Sequence, residues 1–250
     1  MDAPLAVGQG RIEALAHHLV APGEQVCLPG PAWALFVFAT TLVPVLILLA
    51  AAWFQPFVPI GELMRDSLLV AEVSQDCCHI YYGAISNMGV LLWASAAAIL
   101  FFAALVVALM GGQQHRSYVV QFALGGFLTT LLCIDDFFLV HDIILPKLGF
   151  SETLAYVVYT SFAAVYVWYA RAEILGARWP MFLLSVGCLA LSVKIDVFFN
   201  VDNDFRLLVE DGAKLVGIAA WLSFHAEAAA CTLQRLSGVD VAQVDRRQST

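Results

Sequence analysis

Long apolar runs alternate with short polar stretches along almost the whole chain. A run of about 20 apolar residues is long enough to cross the hydrocarbon core of a bilayer as a helix, which satisfies its own backbone hydrogen bonds there. We therefore predict an all-α fold, a polytopic membrane helix bundle. The pattern predicts six transmembrane helices, at Trp33–Trp53, Tyr82–Met110, Tyr118–Val140, Leu154–Tyr169, 181–199 and Leu207–Leu233.

The polar stretches between these runs set the predicted domain boundaries. Residues 55–80 carry too many charges and prolines to cross a membrane, so they are predicted to form the longest loop, with a short interfacial helix at LLVAEV. The polar residues 1–30 form a cytoplasmic N-terminal segment, residues 31–234 the six-helix domain, and residues 235–250 a cytoplasmic tail.

Composition supports a membrane protein and narrows its partners. The 250 residues are 61% hydrophobic and 13% charged, with a mean hydropathy of +0.83 and a net charge of -8, values outside the usual range of soluble domains. Nothing resembles a basic groove, so we expect no nucleic acid. The lipid bilayer is the expected partner, with a lipid or other amphiphilic small molecule as substrate, and the oligomeric state stays open.

The distribution of lysine and arginine predicts the orientation in the cell membrane. The cytoplasmic segments of membrane proteins are enriched in lysine and arginine. With the N-terminus inside, the outer loops of this chain hold only Arg65, Lys147 and Arg206. The inner segments then hold Arg11, Arg116, Arg171, Arg178, Arg235, Arg246 and Arg247. We therefore predict a multi-pass protein of the cell membrane with both termini in the cytoplasm.

Ionisable residues within the predicted spans gather at one depth. In this orientation they lie at the outer ends of spans three, five and six, and intramembrane ionisable residues are functional candidates by default. Five acids within spans face only two lysines, and closely packed carboxylates hold a proton or recruit a cation. The members within spans are Asp135, Asp136, Lys194, Asp196, Glu210, Asp211 and Lys214.

Two sets of roles follow from these residue types. Mixed histidine and carboxylate ligands suit a divalent metal ion such as zinc, and the candidate ligands are His79, Asp135, Asp136, His141 and Asp142. The candidate acid, base or supporting residues of a catalytic site are Asp135, Asp136, Asp196, Glu210, Asp211 and Lys214.

Two segments resemble a family of membrane enzymes. GAISNMGV in span two and TLLCIDDFF in span three look like the Ser-Asn and acidic segments of the alkaline ceramidases and their relatives. The resemblance implies a multi-span hydrolase that uses zinc to cleave lipid amides. That family places a serine and a zinc-binding histidine about three turns before the acidic pair, where this chain has FALGGF, and it ends with a His-x-x-x-His pair, where span six has only His225.

The sequence thus leaves three functions open. The first is a membrane-embedded metal-dependent hydrolase that acts on an amphiphile from the outer side. The second is an ion- or proton-coupled transporter that uses the same charged residues, with Lys194 and Lys214 as switchable partners. The third is a non-catalytic subunit of a membrane complex.

Overall fold

The computed structural model describes residues 31–73, 79–111, 115–175, 179–198 and 203–237 of the chain. Within these ranges the protein is helical and contains no strands. We number its α-helices in chain order: α1 Pro31–Phe54, α2 Ile60–Met64, α3 Ser67–Val73, α4 Ala84–Met110, α5 Arg116–Phe138, α6 Leu145–Lys147, α7 Glu152–Leu175, α8 Trp179–Phe198 and α9 Asp204–Ser237.

Among the described residues, five helices are long and apolar enough to cross a membrane, which confirms the all-α fold and the membrane protein predicted from the sequence. They are Leu35–Phe54 within α1, and the whole of α4, α5, α7 and α8. Many of their large apolar side chains are exposed in the isolated chain, among them Phe102, Leu105 and Trp168. Such an outward apolar surface is what a bundle surrounded by lipid requires, since the bilayer replaces water as the solvent.

Helix α9 differs from the other long helices because it lies among them. It has 34 residues, which is about 51 Å at the usual helical rise, and it packs most extensively against α8, α4 and α1. Ile218, Ala219, Ala220 and Phe224 are almost completely buried. Because its neighbours cover much of its surface, α9 can carry polar and charged side chains that a lipid-facing helix could not.

The two short helices α2 and α3 form a cap over one end of the bundle. The sequence predicted one short helix in this loop, and the structure has two. Met64 in α2 is completely buried, and α2 packs against α9 and α4. The side chain of Gln55 shapes the turn that precedes the cap, since its amide accepts hydrogen bonds from the backbone N–H groups of Phe57 and Val58.

Gly83 fixes the cap to the start of α4. Its φ of +64° is in the left-handed region, its N–H donates to the carbonyl of Glu62 at 2.8 Å, and a Cβ there would lie 2.6 Å from the backbone nitrogen of Ser67. A glycine meets both demands, because it has no Cβ.

Gly83→Ala is therefore expected to destabilise the protein more than Gly149→Ala. Gly149 also has a left-handed φ, of +83°, but a Cβ there would meet nothing within 4 Å. Gly149→Ala is thus the control, because it loses only the stability that a left-handed φ costs a residue with a Cβ, about 1–2 kcal/mol. Gly83→Ala must in addition displace the cap. Thermal unfolding in detergent micelles measures both variants, and equal losses would contradict this role of Gly83.

Beneath the capped end, the bundle core is a tightly packed aromatic layer. The indole N–H of Trp221 donates to Thr129 at 3.0 Å, and Tyr166 and His225 are joined by a hydrogen bond of 2.8 Å between the phenol oxygen and Nε2. The Nδ1 of His225 lies 2.8 Å from the carbonyl of Trp221. Together with buried Trp93, Phe182 and Phe224, these side chains fill the interior below the charged residues.

Candidate functional site

Several of the charged side chains predicted from the sequence lie close together at one end of the bundle. We call this the charged end and define it by Asp135, Asp136, His141 and Lys214. Asp135 and Asp136 are buried in the last turn of α5, with exposed fractions of 8% and 7%, so their charges are compensated by neighbouring groups rather than by solvent. Three connected groups of side chains provide that compensation.

The first group depends on an irregular end to α5. Leu139 has a left-handed φ of 51°, and Val140–Ile144 form a π-helical turn that leads into α6. A non-glycine residue with this φ is uncommon, and π-turns occur frequently at functional sites. Leu139 is also 98% buried, at 2% exposure, so packing holds the strained backbone. The chain consequently turns His141 back over the end of α5.

This turn brings His141 onto Asp135. The Oδ1 of Asp135 accepts a hydrogen bond from the backbone N–H of His141 at 3.0 Å, and its Oδ2 lies 2.7 Å from the ring Nδ1. Tyr159 of α7 donates its hydroxyl to the same carboxylate at 2.7 Å. A carboxylate partner places the ring proton on Nδ1 and leaves Nε2 as the variable nitrogen. Tyr159 was not among the site residues predicted from the sequence.

Opposing effects set the pKa of the His141 side chain. Burial lowers this pKa. The hydrogen bond and the charge of Asp135, together with the charge of Asp142, raise it by more than burial lowers it, so the net pKa is above its ordinary value of 6.5. The Nε2 of His141 lies 3.3 Å from Asp142 Oδ1. The protonated ring is thus favoured by its carboxylate neighbours, and a histidine whose two states are both accessible can act as a general acid or base.

The second group is an ion pair between α5 and α9. Lys214 binds the buried Oδ1 of Asp136, whereas Oδ2 of Asp136 is buried without a hydrogen bond among the described residues. Asp211 lies close enough to Lys214 and Asp136 to interact with both electrostatically. One lysine is thus shared by several carboxylates, which agrees with the surplus of acids counted from the sequence.

Asp66 belongs to this second group and was missed by the sequence analysis. It lies between α2 and α3, accepts a hydrogen bond from the hydroxyl of Ser86, and interacts electrostatically with Lys214 and Asp136. Because Asp66 is in a predicted loop, hydropathy gave no reason to place it beside the spans. The cap therefore supplies a charge as well as a cover.

The third group joins α8 to α9. The Nη2 of Arg206 lies 2.9 Å from Oε2 of Glu210, four residues later, and 3.7 Å from Oδ1 of Asp196. The sequence analysis counted Arg206 as a loop charge, although its i,i+4 spacing to Glu210 could have indicated the pair. Lys194 is exposed on α8 and takes part in none of the ion pairs between described residues.

These contacts leave the predicted metal ligands without a common centre. His79 is exposed and its ring stacks on Tyr81, with 5.1 Å between centroids. Both carboxylate oxygens of Asp135 accept hydrogen bonds, and His141 directs Nδ1 at that carboxylate. Among the described ranges, no three His, Cys, Asp or Glu side chains form a group that could hold a metal ion. The donor set does not fit the expected zinc site.

Comparison with known proteins identifies the family of the chain. A family model described as a domain of unknown function (DUF8692) matches residues 34–228. The chain belongs to this family. No curated protein and no solved structure matches it. The DUF8692 region begins in α1 and ends in α9, so it contains the cap and all three charged groups. The charged end is thus within the DUF8692 domain rather than in an added segment.

Proposed function

We propose that the protein is a membrane-embedded hydrolase that cleaves an ester or amide of an amphiphile at the charged end, with His141 as general base. The observation that supports this proposal is the hydrogen-bonded arrangement of Asp135, His141 and Tyr159. It orients an imidazole at the edge of the bundle, where its side chain keeps 17% of its surface exposed. An oriented carboxylate–histidine pair is a recurring means of activating a nucleophile.

In the proposed reaction, Nε2 of neutral His141 removes a proton from water, and the resulting hydroxide attacks the carbonyl carbon of the substrate. The bond to the leaving oxygen or nitrogen then breaks, and the imidazolium returns its proton to that atom. The products are a carboxylic acid and an alcohol or amine. The carboxylate of Asp135 accepts a hydrogen bond from Nδ1–H of His141 and stabilises the imidazolium, while the hydroxyl of Tyr159 orients this carboxylate. None of these steps uses a metal ion.

The packed core favours a hydrolase over a transporter. A transporter needs its site to be reached from both sides of the membrane, and the aromatic layer of Trp93, Tyr166 and Trp221 lies below the charged end. A hydrolase needs access from one side only. A non-catalytic subunit would not need the oriented His141 ring.

The proposed topology has α9 as a sixth crossing, with both termini in the cytoplasm and the charged end outside. The length of α9 and its position among α1, α4 and α8 support the crossing, and the arginine distribution supports the orientation. Reporter fusions after Arg116 and Arg178 test this topology, and a signal from the outer side would contradict it.

The pH dependence of hydrolysis tests the role of His141. The pKa of His141 is raised above its ordinary value in part by Asp142, so the neutral base forms only as the pH rises, and activity should rise with it. Asp142→Asn removes one raising charge and is expected to shift this rise to lower pH. Release of fatty acid from lipid esters and amides in nanodiscs, measured by mass spectrometry, gives the profile.

Asp204→Asn is the matched control, because Asp204 is an exposed acid on α9 and is not among the charges that act on His141. Its profile should follow that of the wild type. If neither esters nor amides are cleaved, or if Asp142→Asn leaves the profile unchanged, the proposed function is wrong.

A further inference from the structure

An apolar groove of about 420 Å³ runs along the outside of α9, between α1 and α8. Its walls include Leu49 and Trp53 of α1, Cys188 of α8, and Gly212, Ala213 and Val216 of α9. Gly212, which has no side chain, and the small side chains of Ala50 and Ala213 leave this space open. The volume is within the usual range of small-molecule sites, and every lining side chain is apolar, as a hydrocarbon chain requires.

The groove leads to the third charged group. Arg206 and Val209 are i,i+3 neighbours on α9, and Glu210 and Ala213 are i,i+3 neighbours one turn further on, so the ion pair lies beside the outer part of the groove. Asp196, the third member of that group, is on α8 eight residues after Cys188. A molecule with its tail in the groove would therefore bring its head to these charges.

The charges at this end favour a cationic head. Arg206 is shared between two carboxylates and has a side chain only 19% exposed, whereas the side chains of Asp196 and Asp142 are 46% and 38% exposed. Burial raises the pKa of Asp142, the nearby His141 lowers it, and the negative charge of Asp196 raises it. These two accessible acids thus lie near each other and next to the proposed base.

We infer that the groove binds the acyl chain of a lipid whose head carries a protonated amine, with the amine at Asp196 and Asp142. This inference rests on the proposed function, since it names the substrate class of the same site. The acyl chain enters from the bilayer between α1 and α8, and the head reaches the side of the charged end where His141 lies.

Photocrosslinking tests the groove without requiring turnover. Phosphatidylethanolamine with a diazirine in its acyl chain is incorporated into nanodiscs with the protein, and crosslinked peptides are mapped by mass spectrometry. We expect crosslinks concentrated on the peptides containing Trp53 and Val216, several-fold stronger than with phosphatidylglycerol carrying the same chain. Asp196→Asn should remove the preference for the amine head but keep the crosslinks.

Gly212→Leu fills the groove and should abolish these crosslinks, whereas Gly187→Leu is the matched control. Gly187 is exposed on α8 and a Cβ there meets nothing within 4 Å, so its leucine adds bulk outside the groove. Crosslinks that persist in Gly212→Leu, or that spread evenly over all lipid-facing helices, would overturn the inference. Crosslinks that form as expected without any hydrolysis would refute the proposed function alone, and normal hydrolysis by Gly212→Leu would refute the inference alone.

Discussion

Lys214→Met is expected to lower the free energy of unfolding by about 3 kcal/mol, because it leaves the buried carboxylate of Asp136 without its ion-pair partner. Breaking a buried pair from one side costs about 3–5 kcal/mol, and the low end applies here since the Lys214 side chain is 31% exposed. Methionine keeps most of the length of the lysine side chain, so the charge is the main difference. Reversible unfolding in mixed micelles, followed by circular dichroism, measures the loss.

Two further variants separate the ion pair from a general effect of removing lysine. The double variant Asp136→Leu with Lys214→Met removes both charges and should recover most of the lost stability, because apolar replacements of buried pairs are often neutral or stabilising. Lys194→Met should change little, since Lys194 is exposed. If Lys214→Met matches Lys194→Met, Lys214 does not stabilise the bundle through Asp136.

Asp135→Asn is expected to reduce hydrolysis by about 10²–10⁴-fold, the usual contribution of a positioned acid or base. An asparagine amide can donate to Nδ1 of His141 where the carboxylate accepts from it. The ring then carries its proton on Nε2, which is the nitrogen that must accept the proton from water. The substitution changes the tautomer with little change in shape.

The fatty-acid release assay measures this loss, and two controls accompany it. His141→Ala should lose activity by a similar factor, since both variants remove the same base. Tyr159→Phe removes a single neutral donor to Asp135 and should reduce activity by only about tenfold, in line with about 1 kcal/mol for one hydrogen bond. Activity in Asp135→Asn equal to that of Tyr159→Phe would argue against the proposed base.

Hydropathy predicted most of the fold because the bilayer imposes its own length scale. The predicted span at Tyr82–Met110 agrees with α4 to within two residues, since its apolar run has clear polar ends. The predicted span at Leu154–Tyr169 is shorter than α7, which continues to Leu175. Arg171 ended the apolar pattern there, but its side chain folds back onto the ring of Trp168 and the carbonyl of that residue, so the helix continues past a charge.

Charge and depth placed Asp135, Asp136 and Lys214 in one predicted site, but they did not predict how these residues would pair. They also included His79 and Lys194, which are exposed and take part in neither pair. Asp135 and Asp136 are adjacent in sequence, and hydropathy treats them alike. The structure gives them different partners, His141 and Lys214, because consecutive helical residues point about 100° apart. The pairing of Asp135 with His141 also depends on the left-handed Leu139, which no local sequence pattern indicated.

The position of α9 has a consequence for the way the protein is made. A helix with this many charges is a poor substrate for insertion into lipid by itself, because each central charge costs about 2.5–3.5 kcal/mol on insertion scales. That cost falls when α1, α4 and α8 are already in place to receive it, and all three precede α9 along the chain. For α9 to cross the membrane as proposed, the helices before it would thus have to assemble first and then receive it.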